Sequence, residues 1–288
     1  SSSVTQFEYR ACSFSIVFKC QLCARRILIA LSLRNMDLIC LQVAKFNQYV
    51  HLLFYTGFNS GLPRIVAIYP LDEQYQGRDV SGNRNPTGTF VGVRTGPGPD
   101  GWPNTATEFF GNRNSYVEFP NTGKLDAKNS ITVLAWVLHL GYAGPIFNFN
   151  RGPGWGVHLW MTKPRQFFAR FVRRGGRFTT PLVTHGNNVR YKAWNFVGAS
   201  FDGNTGMATP WVNNRPVVRS NIGKIRLATN RPVRMGAKIG DRRYFRGRVS
   251  CVQVYSVALT RKQVINAEGD VSNVSLAKLS LIVKYLFL

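Results

Sequence analysis

Short runs of β-branched and aromatic residues, separated by glycine, proline and asparagine, fill the middle of the chain. Turn residues recur after each run, which is typical of the antiparallel strands of a β-sandwich. In the run 115–119, Val117 and Phe119 alternate with more polar residues, as a half-buried strand requires. The pattern predicts strands at 65–69, 87–93, 106–109, 115–119, 131–138, 145–149, 155–161, 166–172, 178–183, 194–201, 207–212, 216–220, 233–239 and 248–255.

Two local motifs add detail to this all-β prediction. Asn213 and Asn214 lie between two predicted strands, and asparagine tolerates positive φ, so the pair suits a two-residue type I′ hairpin turn. Thr260 and Gln263 have the spacing of a capping box, in which the hydroxyl accepts a backbone N–H and the glutamine reaches back. We therefore expect one short helix near the end of the domain.

The two ends of the chain do not share the β pattern. Residues 1–60 show no consistent period, and residues 269–288 turn to serine, valine and leucine without a partner pattern. The sequence thus divides into an unassigned flank at 1–60, a β domain at 61–268 and an unassigned tail at 269–288. Two alternatives stay open for the ends: parts of the working protein, or segments not native to the fold.

Targeting signals are weak at both ends. Arg34 and Asp37 interrupt the most apolar N-terminal run, and Lys278 and Lys284 interrupt the C-terminal one, so no membrane span is expected. The sequence begins with Ser1 and has no clear signal peptide, which indicates a processed start or a fragment.

Positive charge is the main compositional anomaly. The chain carries 37 Lys and Arg against 13 Asp and Glu, a formal net charge of +24. Residues 64–150 contain seven basic and seven acidic residues, whereas residues 151–248 contain 20 basic residues and only Asp202 and Asp241 as acids. Solubility requires far less charge, so we expect an anionic partner. A basic surface that is merely solvated is the alternative.

Arginine residues form the main candidate ligand site. One group surrounds the Gly175-Gly176 turn and alternates with phenylalanines, and a second group flanks Tyr244 and Phe245. Arginine favours bidentate recognition of sulfate, carboxylate or phosphate. The phenylalanines have two interpretations, core residues or stacking platforms. The candidate ligand-binding residues are Arg165, Arg170, Arg173, Arg174 and Arg177 in the first group and Arg242, Arg243 and Arg246 in the second.

Four sequence segments, in this order, resemble the laminin-G-like branch of the concanavalin A-like lectin/glucanase superfamily. They are IVAIYPLDEQYQGRDVSGNRNPTGTF, NSYVEFPNTGKLDAKNSITVLAWV, WNFVGASFDGNTGMATPWVNNRPV and MGAKIGDRRYFRGRVSCVQVYSVALTRKQV. The resemblance covers roughly residues 64–268. It implies an antiparallel two-sheet jelly-roll sandwich in a secreted or cell-surface protein, where such domains serve adhesion, matrix assembly or glycan binding.

The resemblance also implies a calcium ion, which Asp79 and Asn83 could bind through oxygen ligands. An Asx-type turn, in which both side chains bond their own backbone, is the alternative. Ser250 and Cys251 stand where many relatives carry acidic residues, which weakens the calcium prediction.

Catalytic groups are not apparent. A retaining glycosidase needs two carboxylates about 5 Å apart, whereas Glu108 and Glu118 lie in different predicted strands. The histidines have no metal spacing and no identifiable nucleophile, so each is expected to be structural or exposed. They are His51, His139, His158 and His185.

Family resemblance and charge together predict a secreted, non-enzymatic adhesion or matrix module that recognises an anionic, sulfated polysaccharide through its arginine-rich surface. A protein–protein scaffold that meets acidic proteins in an extracellular matrix is the alternative. A nucleic-acid binder would share the basic surface but lacks a recognised motif, and a glycoside hydrolase lacks the carboxylate pair. Ligand identity and oligomeric state stay open.

Overall fold

The fold is a sandwich of two antiparallel sheets, seen in a computed structural model that describes residues 64–141, 143–150 and 152–269. This confirms the all-β prediction. The strands are β1 Ile65–Tyr69, β2 Thr89–Val91, β3 Arg94–Gly96, β4 Ala106–Phe110, β5 Tyr116–Phe119, β6 Ile131–His139, β7 Gly144–Phe149, β8 His158–Lys163, β9 Gln166–Arg170, β10 Leu182–Val183, β11 Trp194–Asp202, β12 Met207–Val212, β13 Arg215–Pro216, β14 Ser220–Asn221, β15 Val233–Met235 and β16 Arg246–Tyr255. One helix, α1, spans 261–269.

Strands far apart in sequence are neighbours in both sheets. The nine-stranded sheet has the order β13-β12-β11-β6-β16-β4-β3, with β1 beside β16 and β14 beside β12. The seven-stranded sheet has the order β10-β9-β8-β7-β15-β5-β2. Because the chain passes repeatedly from one sheet to the other, each sheet is completed by strands from both halves of the domain.

The core lies between the two sheets and follows the period of two along each strand. In β6, Val133, Ala135 and Val137 face the core, and in β8 Leu159 and Met161 do so. Each fully buried aliphatic or aromatic side chain contributes about 1.5–3 kcal/mol to stability.

A smaller apolar cluster covers part of the outer face of the nine-stranded sheet. Helix α1 packs Val264 and Ala267 against Phe196, Trp211 and Tyr255. The predicted capping box begins this helix. Gln263 Oε1 accepts the Thr260 backbone N–H at 2.9 Å, and Thr260 Oγ1 accepts the Gln263 backbone N–H at 3.4 Å.

A bulge in β16 reverses which side chains face the core. Val249 and Val252 both lie in the core although three positions separate them. Between them the pairing with β6 shifts register, and Cys251 has a φ of 48°. Before the bulge β16 pairs with β4, and after it with β1.

Local sequence rules predicted some strands better than others. The prediction of Asn213 and Asn214 as a hairpin turn is confirmed, since both have positive φ. The predicted strand 178–183 shortens to Leu182–Val183, because Phe178 makes only an isolated bridge to Val172.

Two further strand predictions need correction. The predicted strand 216–220 is wrong as a continuous strand, because its two ends form separate strands, β13 and β14. Strand β3 was not predicted, since its sequence Arg-Thr-Gly lacks apolar alternation.

Membrane spans and the two ends of the chain were also subjects of the sequence predictions. None of the helices in the described segments has the length and hydropathy of a membrane span. The assignments of residues 1–60 and of the tail after residue 269 lie outside the described residues, and the domain limits 61 and 268 stay predictions.

Thr260→Ala tests the capping box. The variant should lower the free energy of unfolding by about 1 kcal/mol, because α1 loses a cap and then packs less well on the sheet. Denaturant unfolding measures the loss. Thr122 is exposed in a loop, so Thr122→Ala is the control. Equal stability of the two variants would contradict a stabilising cap.

Candidate functional site

A row of polar side chains crosses the outer face of the seven-stranded sheet. Strand pairing places Glu118 opposite Arg234 and Arg234 opposite Asn148. It then places Asn148 opposite His158 and His158 opposite Arg170. Side chains that lie opposite each other on one face are about 5 Å apart, so the row forms one continuous polar line over five strands.

One end of this row is electrically neutral. Arg234 Nε donates to Glu118 Oε2 at 3.0 Å, and both side chains are largely buried. The guanidinium carbon of Arg234 also lies 3.7 Å from the centre of the Tyr116 ring.

The other end of the row lies within a set of rings that we call the aromatic cluster: Trp155, His158, Trp160, Phe168 and Phe178. The ring centre of Trp155 lies 4.7 Å from that of His158 and 5.6 Å from that of Trp160. His158 stacks on Phe168 at 5.6 Å. Phe178 is 53% exposed, so the cluster reaches the surface.

Three cations lie against the aromatic cluster. The Arg170 guanidinium carbon is 4.9 Å from the ring centre of Phe178. That of Arg243 is 4.5 Å from Trp160, and Lys238 Nζ lies 4.4 Å from the Trp155 ring. The structure therefore brings together Arg170 from the first arginine group and Arg243 from the second, although sequence could not place them on one face.

Lys238 has a positioning role at this site. It is 3% exposed, and its ammonium group donates to the carbonyls of Gly152 at 2.7 Å and Pro153 and Ile239 at 3.2 Å. Burial lowers its pKa. These bonds join the loop before β8 to the loop after β15 and hold the cation under Trp155.

Arg243 is fixed by a neighbouring acid. Its Nε and Nη2 donate to the Asp241 carboxylate at 2.9 and 2.6 Å. Burial alone would raise the pKa of Asp241, but the bonds from Arg243 outweigh it and the pKa lies below its usual value.

Near the Gly175-Gly176 turn, exposed cations from three segments meet and form what we call the basic rim: Lys128, Arg173, Arg177, Lys224 and Arg226. The Arg174 backbone N–H donates to the Arg226 carbonyl, and the Leu227 N–H donates to the Lys128 carbonyl, each at 2.7 Å. The basic rim adjoins the aromatic cluster because Phe178 directly follows Arg177.

Arg174 holds Asp126 in place and is therefore not counted among the cations that a ligand can contact. Its Nη1 and Nη2 donate to the two oxygens of Asp126 at 2.9 and 2.7 Å. Thr229 also donates to this carboxylate at 2.7 Å. Burial would raise the pKa of Asp126, but these bonds outweigh it and the pKa is lowered.

Three candidate arginines remain: Arg165, Arg246 and Arg242. Arg165, at the turn between β8 and β9, donates to Asn187 Oδ1 at 3.1 Å. Arg246 begins β16 in the nine-stranded sheet. Arg242 is exposed beside Arg243.

Asp79 has the geometry of the Asx-type turn, whereas the Asn83 side chain bonds the distant start of β1. The Asp79 carboxylate accepts the backbone N–H groups of Ile68, Ser81 and Asn85 at 2.9–3.2 Å. It also accepts the Ser81 hydroxyl and the Asn85 amide, and Asn83 Nδ2 donates to the Ile65 carbonyl at 2.8 Å. As they stand, these side chains do not fit a calcium ion, since their bonds would have to be replaced. Calcium binding stays a prediction.

Sequence reasoning missed Trp155, Trp160, Asn148 and Lys238. A signal for Trp160 was present, because in His158–Lys163 the core residues Leu159 and Met161 alternate with His158 and Trp160. An aromatic residue on the face opposite the core is the signal of a possible binding surface. Lys238 carried no such signal.

The described histidines include two that are buried. Burial lowers the pKa of both His139 and His158 to about 4, and for His158 the nearby Arg170 adds to the effect. His139 stacks on Phe245, and neither of its ring nitrogens has a hydrogen-bond partner in the described segments. His185 is exposed, and His51 lies outside the described residues.

His139→Phe tests the cost of this burial in acid. His139 binds a proton near pH 6.5 in the unfolded chain but only near pH 4 in the folded protein. The free energy of unfolding therefore falls as the pH drops from 6.5 to 4. Urea unfolding at pH 7 and pH 4.5 should show that the variant loses about 2 kcal/mol less than the wild type. His185→Phe is the control, and an equal loss in all three proteins would contradict the assignment.

Comparison with known proteins identifies the fold. A family model described as the concanavalin A-like lectin/glucanases superfamily matches residues 110–265, more than half of the chain. The resemblance inferred from sequence is thus confirmed. No curated protein matches the chain.

Solved toxin binding domains share the architecture at low identity. The binding domain of Paraclostridial mosquitocidal protein 1 is 16% identical with a TM-score of 0.57, and covers 70% of this chain and 51% of its own. The botulinum neurotoxin serotype G binding domain is 12% identical with a TM-score of 0.55, and the match covers 69% of this chain and 49% of that domain. The receptor binding domain of the botulinum neurotoxin C/D mosaic serotype is 11% identical with a TM-score of 0.55, and the match covers 72% of this chain and 51% of that domain. The chain spans about half the length of these domains.

Proposed function

The chain belongs to the concanavalin A-like lectin/glucanase superfamily, and on this premise we propose that it is a secreted, non-enzymatic module that binds an anionic polysaccharide. Its fold is that of carbohydrate- and receptor-binding domains. Fold alone does not define a ligand, so the proposal rests on the chemistry of one face.

The observation that carries the proposal is the convergence of Arg170 and Arg243 on the aromatic cluster. Aromatic rings offer flat apolar surfaces, and guanidinium groups form charge-assisted hydrogen bonds with sulfate or carboxylate. Asp241 bonds Nε and Nη2 of Arg243, which leaves the Nη1 edge of this guanidinium for an anion. A polysaccharide with acidic substituents presents both the apolar ring faces and the anions that such a surface complements.

The basic rim extends this surface for a polymeric ligand. Its cations are exposed, and Asp126, the acid near Lys128, already pairs with Arg174. A chain that lies across Phe178 would therefore continue onto uncompensated positive charge. Residues 151–248 hold 20 basic residues against two acids, which supplies long-range attraction as well.

Two observations favour binding over hydrolysis. Glu108 lies in the nine-stranded sheet, where Arg94 and Arg248 bond it at 3.1 and 3.4 Å. Glu118 lies in the seven-stranded sheet and pairs with Arg234. These two carboxylates do not share a site, which supports a binding role. The matrix scaffold for acidic proteins stays the alternative, and it differs in needing no sugar-specific contact.

Retention on heparin tests the charge component. The full chain should remain bound beyond about 0.5 M NaCl, whereas non-specific ionic contacts fade near roughly 0.2 M. Changing Arg173 and Arg177 to Ser should make the dependence of log affinity on log salt shallower by about 2, roughly one per lost contact.

Arg113 and Arg215 provide the matched control, since both are exposed and lie away from the basic rim. Changing them to Ser removes the same charge and should leave heparin affinity nearly unchanged. Elution of the wild type at the same salt from heparin and from a plain cation exchanger would defeat the proposal. Equal losses of heparin affinity in the two double variants would show that the basic rim is not the binding site.

Phe178→Ala tests the aromatic component. Loss of stacking should weaken heparin binding about 5- to 10-fold without changing the salt dependence, because no ionic contact is removed. Phe110 is the control, since it is also partly exposed (41%) and has Arg94 over its ring, but it lies on the other sheet. If Phe110→Ala weakens binding equally, the aromatic cluster is not the contact surface.

A further inference from the structure

Three polar atoms on the outer face of the seven-stranded sheet have no hydrogen-bond partner among the described residues. They are Asn148 Oδ1, Trp160 Nε1 and Arg170 Nε, three of eight such buried atoms in the described segments. Asn148 is 0% exposed and Trp160 2%. Burying a polar atom without a partner is unfavourable and uncommon, so three on one face require an explanation.

These atoms belong to one small area. Asn148 lies opposite His158 and His158 opposite Arg170, so Asn148 and Arg170 are two strand spacings, or about 10 Å, apart. Trp160 is two residues beyond His158 on the same face, about 7 Å along the strand. A single ligand group with its neighbours can reach all three.

The orientation of the Asn148 amide follows from its other contact. Its Nδ2 donates to the Asn150 carbonyl at 2.6 Å, and a carbonyl can only accept. The unpartnered atom is therefore the oxygen, which needs a donor, while Trp160 and Arg170 each offer an N–H that needs an acceptor.

A hydroxyl group meets both demands, because it donates one hydrogen bond and accepts others. Ionised sulfate, phosphate and carboxylate groups only accept. We propose that Asn148, Trp160 and Arg170 form a subsite that recognises hydroxyl groups of a sugar through hydrogen bonds. This inference rests on the proposed function and names the feature by which the site distinguishes an anionic polysaccharide from other polyanions.

The subsite lies beneath the side chains of Trp155 and Arg243, and the half-exposed pair of Arg243 with Asp241 is of the weak kind that a ligand can open. The Arg243 guanidinium is 4.5 Å from the Trp160 ring centre and its side chain is 50% exposed, and the Trp155 ring is 5.6 Å away. A ligand reaches the three atoms once these two side chains turn aside. The anion of the ligand then meets Arg243 as its hydroxyl group meets Trp160.

Trp160→Phe in the full chain tests the subsite. The variant keeps a ring and removes one N–H. Because that N–H has no partner in the ligand-free protein, unfolding stability should fall only by the packing that the smaller ring loses. Affinity for heparin should fall about 5-fold, the value of one hydrogen bond, while affinity for inorganic polyphosphate should not change. Arg170→Lys, which keeps the charge and removes Nε, should likewise lower heparin affinity more than polyphosphate affinity.

Trp211→Phe is the matched control. Trp211 Nε1 donates to Ser200 Oγ at 2.9 Å on the other sheet. Its loss should lower stability and leave heparin affinity unchanged.

The possible outcomes separate the two proposals. Wild-type protein that does not bind heparin beyond simple cation exchange rejects the proposed function. Wild-type binding that both site variants retain rejects the subsite and leaves the proposed function standing. Equal losses for heparin and polyphosphate also reject the subsite, because they show that no hydroxyl is read.

Discussion

Successive side chains of each strand point to opposite faces of its sheet, and this alternation governs both the core and the candidate site. One set of alternate residues fills the space between the sheets, so the other set is left for the outer faces. On the nine-stranded sheet helix α1 covers part of that outer set. On the seven-stranded sheet it forms the polar row and part of the aromatic cluster. The site is therefore a direct product of the packing that makes the sandwich.

The described acids that pair with arginines leave the positive charge of other arginines and lysines uncompensated. Asp126, Glu118 and Asp241 each bond an arginine, and Glu108 bonds two. Such pairs fix side chains more than they stabilise the fold, because the loss of hydration offsets much of the attraction. The cations of the basic rim lie outside these pairs, so an external anion can compensate them.

Sequence reasoning predicted the elements governed by local rules. The limits of β1 and β12, the Asn213-Asn214 turn and the capping box all depend on neighbouring residues. The site depends on strand order instead. Arg170 and Arg243 meet only because β9 and the loop after β15 are brought to the same face. Likewise, nothing in the sequence distinguishes Arg174, which Asp126 binds, from the exposed Arg173.

The bulge at Cys251 has a consequence for the whole nine-stranded sheet. With the extra residue, Val252 and Val254 face the core, and Gln253 and Tyr255 lie beneath helix α1, where Gln253 Nε2 donates to the Ala267 carbonyl at 2.9 Å. A strand one residue shorter at this point would exchange these faces. The valines would then meet the helix and the polar groups would enter the core. One inserted residue thus keeps both surfaces of the strand matched to what covers them.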